Sequence, residues 1–292
     1  MRTINYTVPP EYDGKKLLYY LKGSAGLSSK LIRSLKTVEN GIQLNGKHAR
    51  TIDIVESGDT ITINIPADKP TSIPSETEID IVYEDDDLLI VNKPAMLPIH
   101  ESHNHQGDTL ANCVAGHMAK KGKGCVFRAI GRLDKGTSGL VVCALNSHAA
   151  SRLSGKIQKT YYAIAKGEYI GHGTIDVPIY RPDPMKTYRI ADERGDRAVT
   201  HWQAIKSDGV LTLLKIKLET GRTHQIRVHF SSLGTPLIGD KMYGGDDERI
   251  EHQALHCAEV KLTHPITGES ICCTAPMPPE MEQFLGQADT YK

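Results

Sequence analysis

The sequence predicts an α+β protein: a mixed, largely antiparallel sheet with few helices, preceded by a small N-terminal module of two short helices and a hairpin. Two observations lead there. Beyond residue 79, β-prone runs at hairpin-like spacing outnumber long crossovers, which favours antiparallel neighbours over a doubly wound parallel sheet. Before it, Pro66, Pro70 and Pro74 with Ser and Thr between them form a stiff linker composition that separates two differently patterned stretches. At 292 residues and 39% apolar content the chain can bury a core and has room for one medium and one small domain. The expected boundaries are 1–68, a linker at 69–78, and 79–292.

In the first module, Leu17 to Leu21 makes one short helix, broken at Gly23 to Gly26. Ser28 or Ser29 then caps a second, Lys30 to Thr37, by accepting from its first free N–H groups. Leu31, Ile32 and Leu35 share one face of it, while Lys30, Arg33 and Lys36 form a basic stripe on another. Gly41 to Lys47 alternates and contains Asn45-Gly46, the strongest short hairpin signal. Ile52 to Val55 leads to the Gly58-Asp59 turn, and Thr60 to Ile65 is an alternating strand.

In the second domain, strands are expected at Ile79–Val82, Leu88–Val91, Leu140–Ala144, Tyr161–Ala165, Val199–Ala204 and Leu211–Leu218, with helices around Leu110–Lys120, His148–Lys156 and His224–Leu233. There is no internal repeat and no low-complexity tract.

Thirty-five basic and 35 acidic side chains cancel, but the balance is uneven along the chain. Glu76, Glu78, Asp80, Glu84, Asp85, Asp86 and Asp87 occupy a stretch without Lys or Arg. The remainder carries seven surplus positive charges, enough for a basic face toward phosphate. Glu84 to Asp87 is expected as a solvated turn. The six cysteines, Cys113, Cys125, Cys143, Cys257, Cys272 and Cys273, form no C-x-x-C pair, and the N-terminus lacks an apolar signal region. Reduced thiols in a cytoplasmic protein without a membrane span are expected.

The chemistry-bearing residues lie in three runs. Gly131-Arg132-Leu133-Asp134-Lys135-Gly136-Thr137-Ser138-Gly139 sets a carboxylate beside an arginine in a Gly-punctuated loop that feeds a buried strand. Such a carboxylate can act as nucleophile, base or electrostatic stabiliser. Lys159-Thr160-Tyr161-Tyr162 is a strand that points successive rings to opposite faces. Leu218 to His229 runs through the Thr220-Gly221 turn into a helix expected to carry both Arg222 and Arg227. In this order the runs resemble the RluA family of pseudouridine synthases, and the resemblance extends through Glu84–Ala95, Gly234–Asp240 and Leu255–Cys257, covering roughly residues 78 to 280. Two positions depart from it: many members have His at the position of Gly131 and Gly at that of Met96.

The resemblance implies a pseudouridine synthase catalytic domain that turns uridine in RNA into its C-glycoside isomer. The N1–C1′ bond breaks, the base turns, and C1′ rejoins at C5. No electrons leave and no group is donated, so no redox cofactor, nucleotide or metal is expected; nor does the chain carry a dinucleotide, P-loop or zinc signature. By resemblance Asp134 is the catalytic carboxylate, Arg227 its ion-pair partner, and Tyr161 the ring that stacks on the base, with a hydroxyl placed to help remove the C5 proton. Arg132 is the candidate to fill the space left by a flipped uridine, and Arg222 a further RNA contact. Residues 12 to 66 resemble the S4 RNA-binding module (an α-L fold), which assigns Lys30, Arg33 and Lys36 to RNA. Ribosomal RNA is favoured over transfer RNA, and a monomer is expected.

Other patterns carry less. His100, His103 and His105 have ligand-like spacing but lie in a polar loop, so no metal is assigned. A different class of function, a non-catalytic RNA-binding or ribosome-assembly factor on a synthase scaffold, would have no reason to keep Asp134, Tyr161 and Arg227 together. A glycoside hydrolase would need a second carboxylate, and Glu219 is an unconvincing one.

Overall fold

The computed structural model describes residues 1–67, 69–102, 105–124 and 126–285; His103 and Cys125 lie outside them. Arg2–Thr7 (β1), Ile42–Leu44 (β2), Lys47–His48 (β3) and Thr60–Ile65 (β4) form an antiparallel sheet in the order β1-β4-β2-β3. Only Ile4 of β1 is fully buried, and an edge strand with one core residue leaves no alternation to detect; sequence analysis missed it. The hairpin between β2 and β3 turns at Asn45 (φ 49°) and Gly46 (φ 76°), the paired left-handed conformation that an Asn-Gly loop supplies. Leu17–Lys22 (α1) and Ser29–Leu35 (α2) pack on the sheet, and Ser28 Oγ accepts from the Leu31 N–H at 3.2 Å. Leu17, Leu21, Leu31, Ile32, Leu35, Ile61 and Ile63 belong to one buried cluster.

The Pro-rich segment does not hang free. Asn112, in Leu110–Lys120 (α3), accepts the Ser75 N–H on its carbonyl (3.0 Å) and donates its amide to the Ile73 carbonyl (2.9 Å), so the expected linker lies along that helix.

The larger sheet has ten strands. Its main path, named in chain order, uses Asp80–Glu84 (β5), Leu88–Lys93 (β6), Ser138–Ala144 (β7), Gln158–Lys166 (β8), His172–Asp176 (β9), Val199–Ser207 (β10), Leu211–Leu218 (β11) and Leu255–Thr263 (β12). They lie in the order β9-β10-β11-β8-β12-β7-β6-β5. Every pairing is antiparallel except β7 with β12. This is the mixed, largely antiparallel sheet that the hairpin spacings predicted. All seven residues of β7 are buried, which anchors the loop before it. Asn146 caps Ser147–Leu153 (α4), accepting from the Ala149 N–H at 2.9 Å, and the helix is shorter than expected because it ends before Gly155, which is left-handed at φ 72°.

The acidic turn is not solvated as expected. Asp87 is buried and receives the Arg2 guanidinium at 3.0 and 2.6 Å and the Asn146 amide at 2.7 Å. Asp85 accepts the backbone N–H groups of Asp87 and Leu88 and the Tyr83 hydroxyl, while Glu84 takes His117 and Lys121. The bend needs these acceptors to satisfy its own amides, so the charge surplus counted along the sequence is partly cancelled in space. Asp85, Asp87 and His264 are also, among the described residues, the one group of His, Cys, Asp or Glu near enough to hold a metal. His264 Nδ1 accepts two backbone N–H groups, which places its proton on Nε2, 3.0 Å from Asp85.

The same junction holds the N-terminal module. Arg2 reaches Asp87, Tyr6 Oη lies 3.1 Å from His148 Nε2, and Arg152 donates to the Ala25 carbonyl. Burial, with Arg152 nearby, pulls His148 down to about 4 from an ordinary 6.5. Its neutral form is therefore the folded one. Stability is full above pH 6.5 and is lost as the unfolded chain takes up a proton between pH 6.5 and 4, by about 3 kcal/mol in total. Denaturant midpoints measured across that range should fall accordingly, and His148→Gln should flatten the decline.

Candidate active site

The loop before β7 is fixed from three sides. Lys93 is fully buried and donates its three N–H groups to the carbonyls of Pro94, Leu97 and Lys135 at 2.8, 3.0 and 3.0 Å. Burial draws it down to about 7, while the Asp134 carboxylate pulls it up. Gln253 donates to Thr137 Oγ1 (3.0 Å), and Ser138 Oγ meets His256 Nδ1 (2.9 Å). Gly139 has φ 104°, and a Cβ there would sit 2.3 Å from the Cys257 carbonyl oxygen. Only glycine allows β7 and β12 to approach so closely at the foot of the loop.

Asp134 stands on this loop with a quarter of its side chain exposed. Arg227 reaches it from Gln225–Ser232 (α5): Nη1 donates to Asp134 Oδ2 at 3.1 Å. The same guanidinium clasps Asp240 with Nε to Oδ2 (2.7 Å) and Nη2 to Oδ1 (2.8 Å). Arg227 is 7% exposed and Asp240 1%. Burial alone would lower the guanidinium's hold on its proton, but Asp240 and then Asp134 more than offset it. The Tyr243 ring covers the cation at 5.0 Å.

A cleft of about 310 Å³ opens in front of Asp134, lined among others by Arg132, Tyr161, Arg222, His224 and Arg227. Tyr161 and Asp134 line the same cleft, and Tyr162 turns to a separate cluster behind the sheet. Burial, then Cys257 and Asp134, push the Tyr161 hydroxyl well above 10.0, so it stays protonated. Arg132 is exposed at the mouth of the cleft.

Arg222 is not on the helix. Gln225 Oε1 accepts the Arg222 N–H (3.0 Å) and the Thr220 hydroxyl (2.9 Å), tying the preceding turn into a closed loop. His224 is the left-handed N-cap at φ 58°, so α5 starts at Gln225. Arg222 instead donates to the Arg197 carbonyl and faces Asp196 at 3.5 Å. Lys30, Arg33 and Lys36 are exposed on α2, far along the chain from the cleft. Arg33 and Lys36 line a shallow groove with Lys22, while Lys30 lies outside it.

Lys93, His224, Asp240 and Tyr243 escaped sequence reasoning as site residues. Each lay inside or beside a run that resembled the family, but burial and partners, which decide their roles, are tertiary facts.

The sequence profile described as RNA pseudouridylate synthase matches residues 87–232. The chain belongs to the RNA pseudouridylate synthase family. It is 38% identical to the uncharacterized RNA pseudouridine synthase YhcT of Bacillus subtilis (strain 168), over 97% of this chain and 96% of that one. It is 32% identical to the ribosomal large subunit pseudouridine synthase D of Escherichia coli (strain K12), over 85% and 82%. Among solved structures, human RNA pseudouridylate synthase domain containing 1 superposes with a TM-score of 0.57 at 26% identity, covering 73% of this chain and 89% of that one. As a pseudouridine synthase the chain is an isomerase that modifies RNA. Among the described residues no helix is long and apolar enough to cross a membrane.

The two departures from the family pattern both fall on left-handed backbone. Gly131 has φ 69° and Met96 φ 65°, so Met96 carries strain of about 1 kcal/mol that a glycine would not.

Asp240→Ala should leave the buried Arg227 guanidinium half-paired and cost roughly 3–5 kcal/mol of stability. Equilibrium denaturation of the variant measures this, and a loss below 1 kcal/mol would contradict the pairing described.

Proposed function

We propose that this synthase isomerises a particular uridine of structured RNA, ribosomal rather than transfer RNA, with Asp134 as the reacting carboxylate. The observation that carries this reading is the partly exposed Asp134 carboxylate, held through one oxygen by a buried arginine and facing the aromatic wall of a cleft. A carboxylate tied in this way is aimed into the cleft, which suits attack on C1′ or on the base, or stabilisation of a glycal-like state.

Tyr161 supplies a flat apolar surface for the flipped base, and its protonated hydroxyl acts as a donor. Arg132 at the mouth fills the gap in the RNA stack. Unstacking a nucleotide costs a few kcal/mol, which stacking on Tyr161 and phosphate contacts through residues such as Arg222 offset. No step calls for a redox cofactor, a nucleotide or a metal: the C5 proton leaves, N1 gains one, and the product is an isomer of the substrate.

Residues 1–68 are proposed as an S4-like RNA-binding domain, with residues 69–78 as its connection and 79–292 as the catalytic domain. The two-helix, small-sheet arrangement and the basic groove beside Arg33 and Lys36 support it, and Lys22 joins those contacts. Ribosomal RNA is favoured because relatives from Escherichia coli and Zymomonas mobilis bear the name ribosomal large subunit pseudouridine synthase D. A monomer that acts in the cytoplasm completes the reading.

Tritium release from [5-³H]uridine transcripts of ribosomal and transfer RNA tests the chemistry. Wild type should release tritium from ribosomal transcripts and Asp134→Asn should not, while RNA affinity stays nearly unchanged; an active Asn variant would remove Asp134 from the reaction. For the N-terminal domain, replacing Lys22, Arg33 and Lys36 with Gln should lower the slope of log affinity against log salt by about 2–3. A filter-binding series with an unchanged slope would remove RNA from this groove.

A further inference from the structure

We propose that His224 is a positioning residue for Asp134: its Nε2–H steadies carboxylate oxygen Oδ2 and leaves Oδ1 as the oxygen that reacts. The proposal rests on the function proposed above and assigns the two oxygens different roles.

The first observation is directional. Among the described residues, Arg227 Nη1 at 3.1 Å and His224 Nε2 at 3.9 Å both approach Oδ2 of Asp134, while Lys93, which also acts on that carboxylate, gives its three donors to backbone carbonyls. The second is the tautomer. Burial pushes the Tyr243 hydroxyl up to about 12, so it keeps its proton. Among the described residues that hydroxyl has two hydrogen-bond partners: the Arg189 N–H, which donates to it at 3.0 Å, and His224 Nδ1 at 2.9 Å. With one bond accepted, its proton goes to Nδ1. The ring proton of a neutral His224 is therefore on Nε2, facing Asp134.

The third observation is the backbone. His224 is a non-glycine residue at φ 58°, a conformation that costs about 1–2 kcal/mol and is retained only where the surroundings hold it. The strain sets the imidazole in the cleft rather than along α5. Burial is also the main influence on the imidazole, with Arg227 and Arg189 adding to it against the pull of Asp134, so the ring is held below its ordinary value and neutral. At 3.9 Å the Nε2–H is short of a full hydrogen bond. Contacts of this kind close in the complex with substrate.

The chain of contacts begins in a hairpin outside the cleft. Ile179–Tyr180 pairs with Ile190–Ala191, Tyr188 stacks on Tyr243 at 5.2 Å, and Arg189 supplies the backbone N–H. Seating of that hairpin thereby fixes which nitrogen of His224 is protonated.

Multiple-turnover tritium release from ribosomal [5-³H]uridine transcripts separates the cases. His224→Asn suits the left-handed backbone and still reaches Tyr243, but is too short for Asp134. Its kcat should fall about 10- to 100-fold with KM little changed. His224→Gln, whose amide extends to the Nε2 position, should recover most of that loss. Tyr243→Phe, which frees the tautomer, should fall between wild type and the Asn variant. Wild-type kcat in the Asn variant would overturn the proposal, as would equal losses for Asn and Gln, which mark a merely structural role. A wild type that releases no tritium from any RNA would overturn the proposed function and this inference with it.

Discussion

Arg227 is a buried cation between two carboxylates, and its burial is tolerable only because both are present. Asp240 takes two of its donors in a bidentate clasp and Asp134 takes a third. A guanidinium has a rigid, planar fork, so once Asp240 has fixed its plane, the direction of the remaining donor is fixed too. That direction places Asp134. The Asp134 loop, the start of α5 and the Gly239-Asp240 turn are thus three separate segments made into one site by a single side chain.

The sheet supplies the rigidity that this geometry needs. β7 is buried along its whole length and paired on both sides, by β6 and β12, so its N-terminal end is a fixed point. Lys93 at the end of β6 then pins the loop from below through three carbonyls. A buried ammonium is costly unless all its donors are used, and here all three are. A buried amine in the core thus holds the backbone that carries Asp134.

The N-terminal module is attached by a comparable device. Arg2, the second residue of the chain, meets Asp87 in the acidic turn, and Tyr6 meets His148. Most acids of that turn serve this junction or the turn's own amides.

The family, the reaction class, most of the long strands and the runs that hold Asp134, Tyr161 and Arg227 were legible in the sequence. They sit in contiguous runs whose alternation, turn residues and motif spacing are local properties. β12 and Ser270–Thr274 were not legible, nor was β1, which has a single fully buried residue to mark it. Only the tertiary structure decided that Arg222 leaves the helix, because the Gln225 side chain closes the preceding turn, and that the Tyr161 hydroxyl keeps its proton, because burial raises it. Asp240, Tyr243 and His224 became site residues by the same route. Their roles come from partners 13 to 90 positions away and from exclusion of water, and neither is a property of a segment read alone.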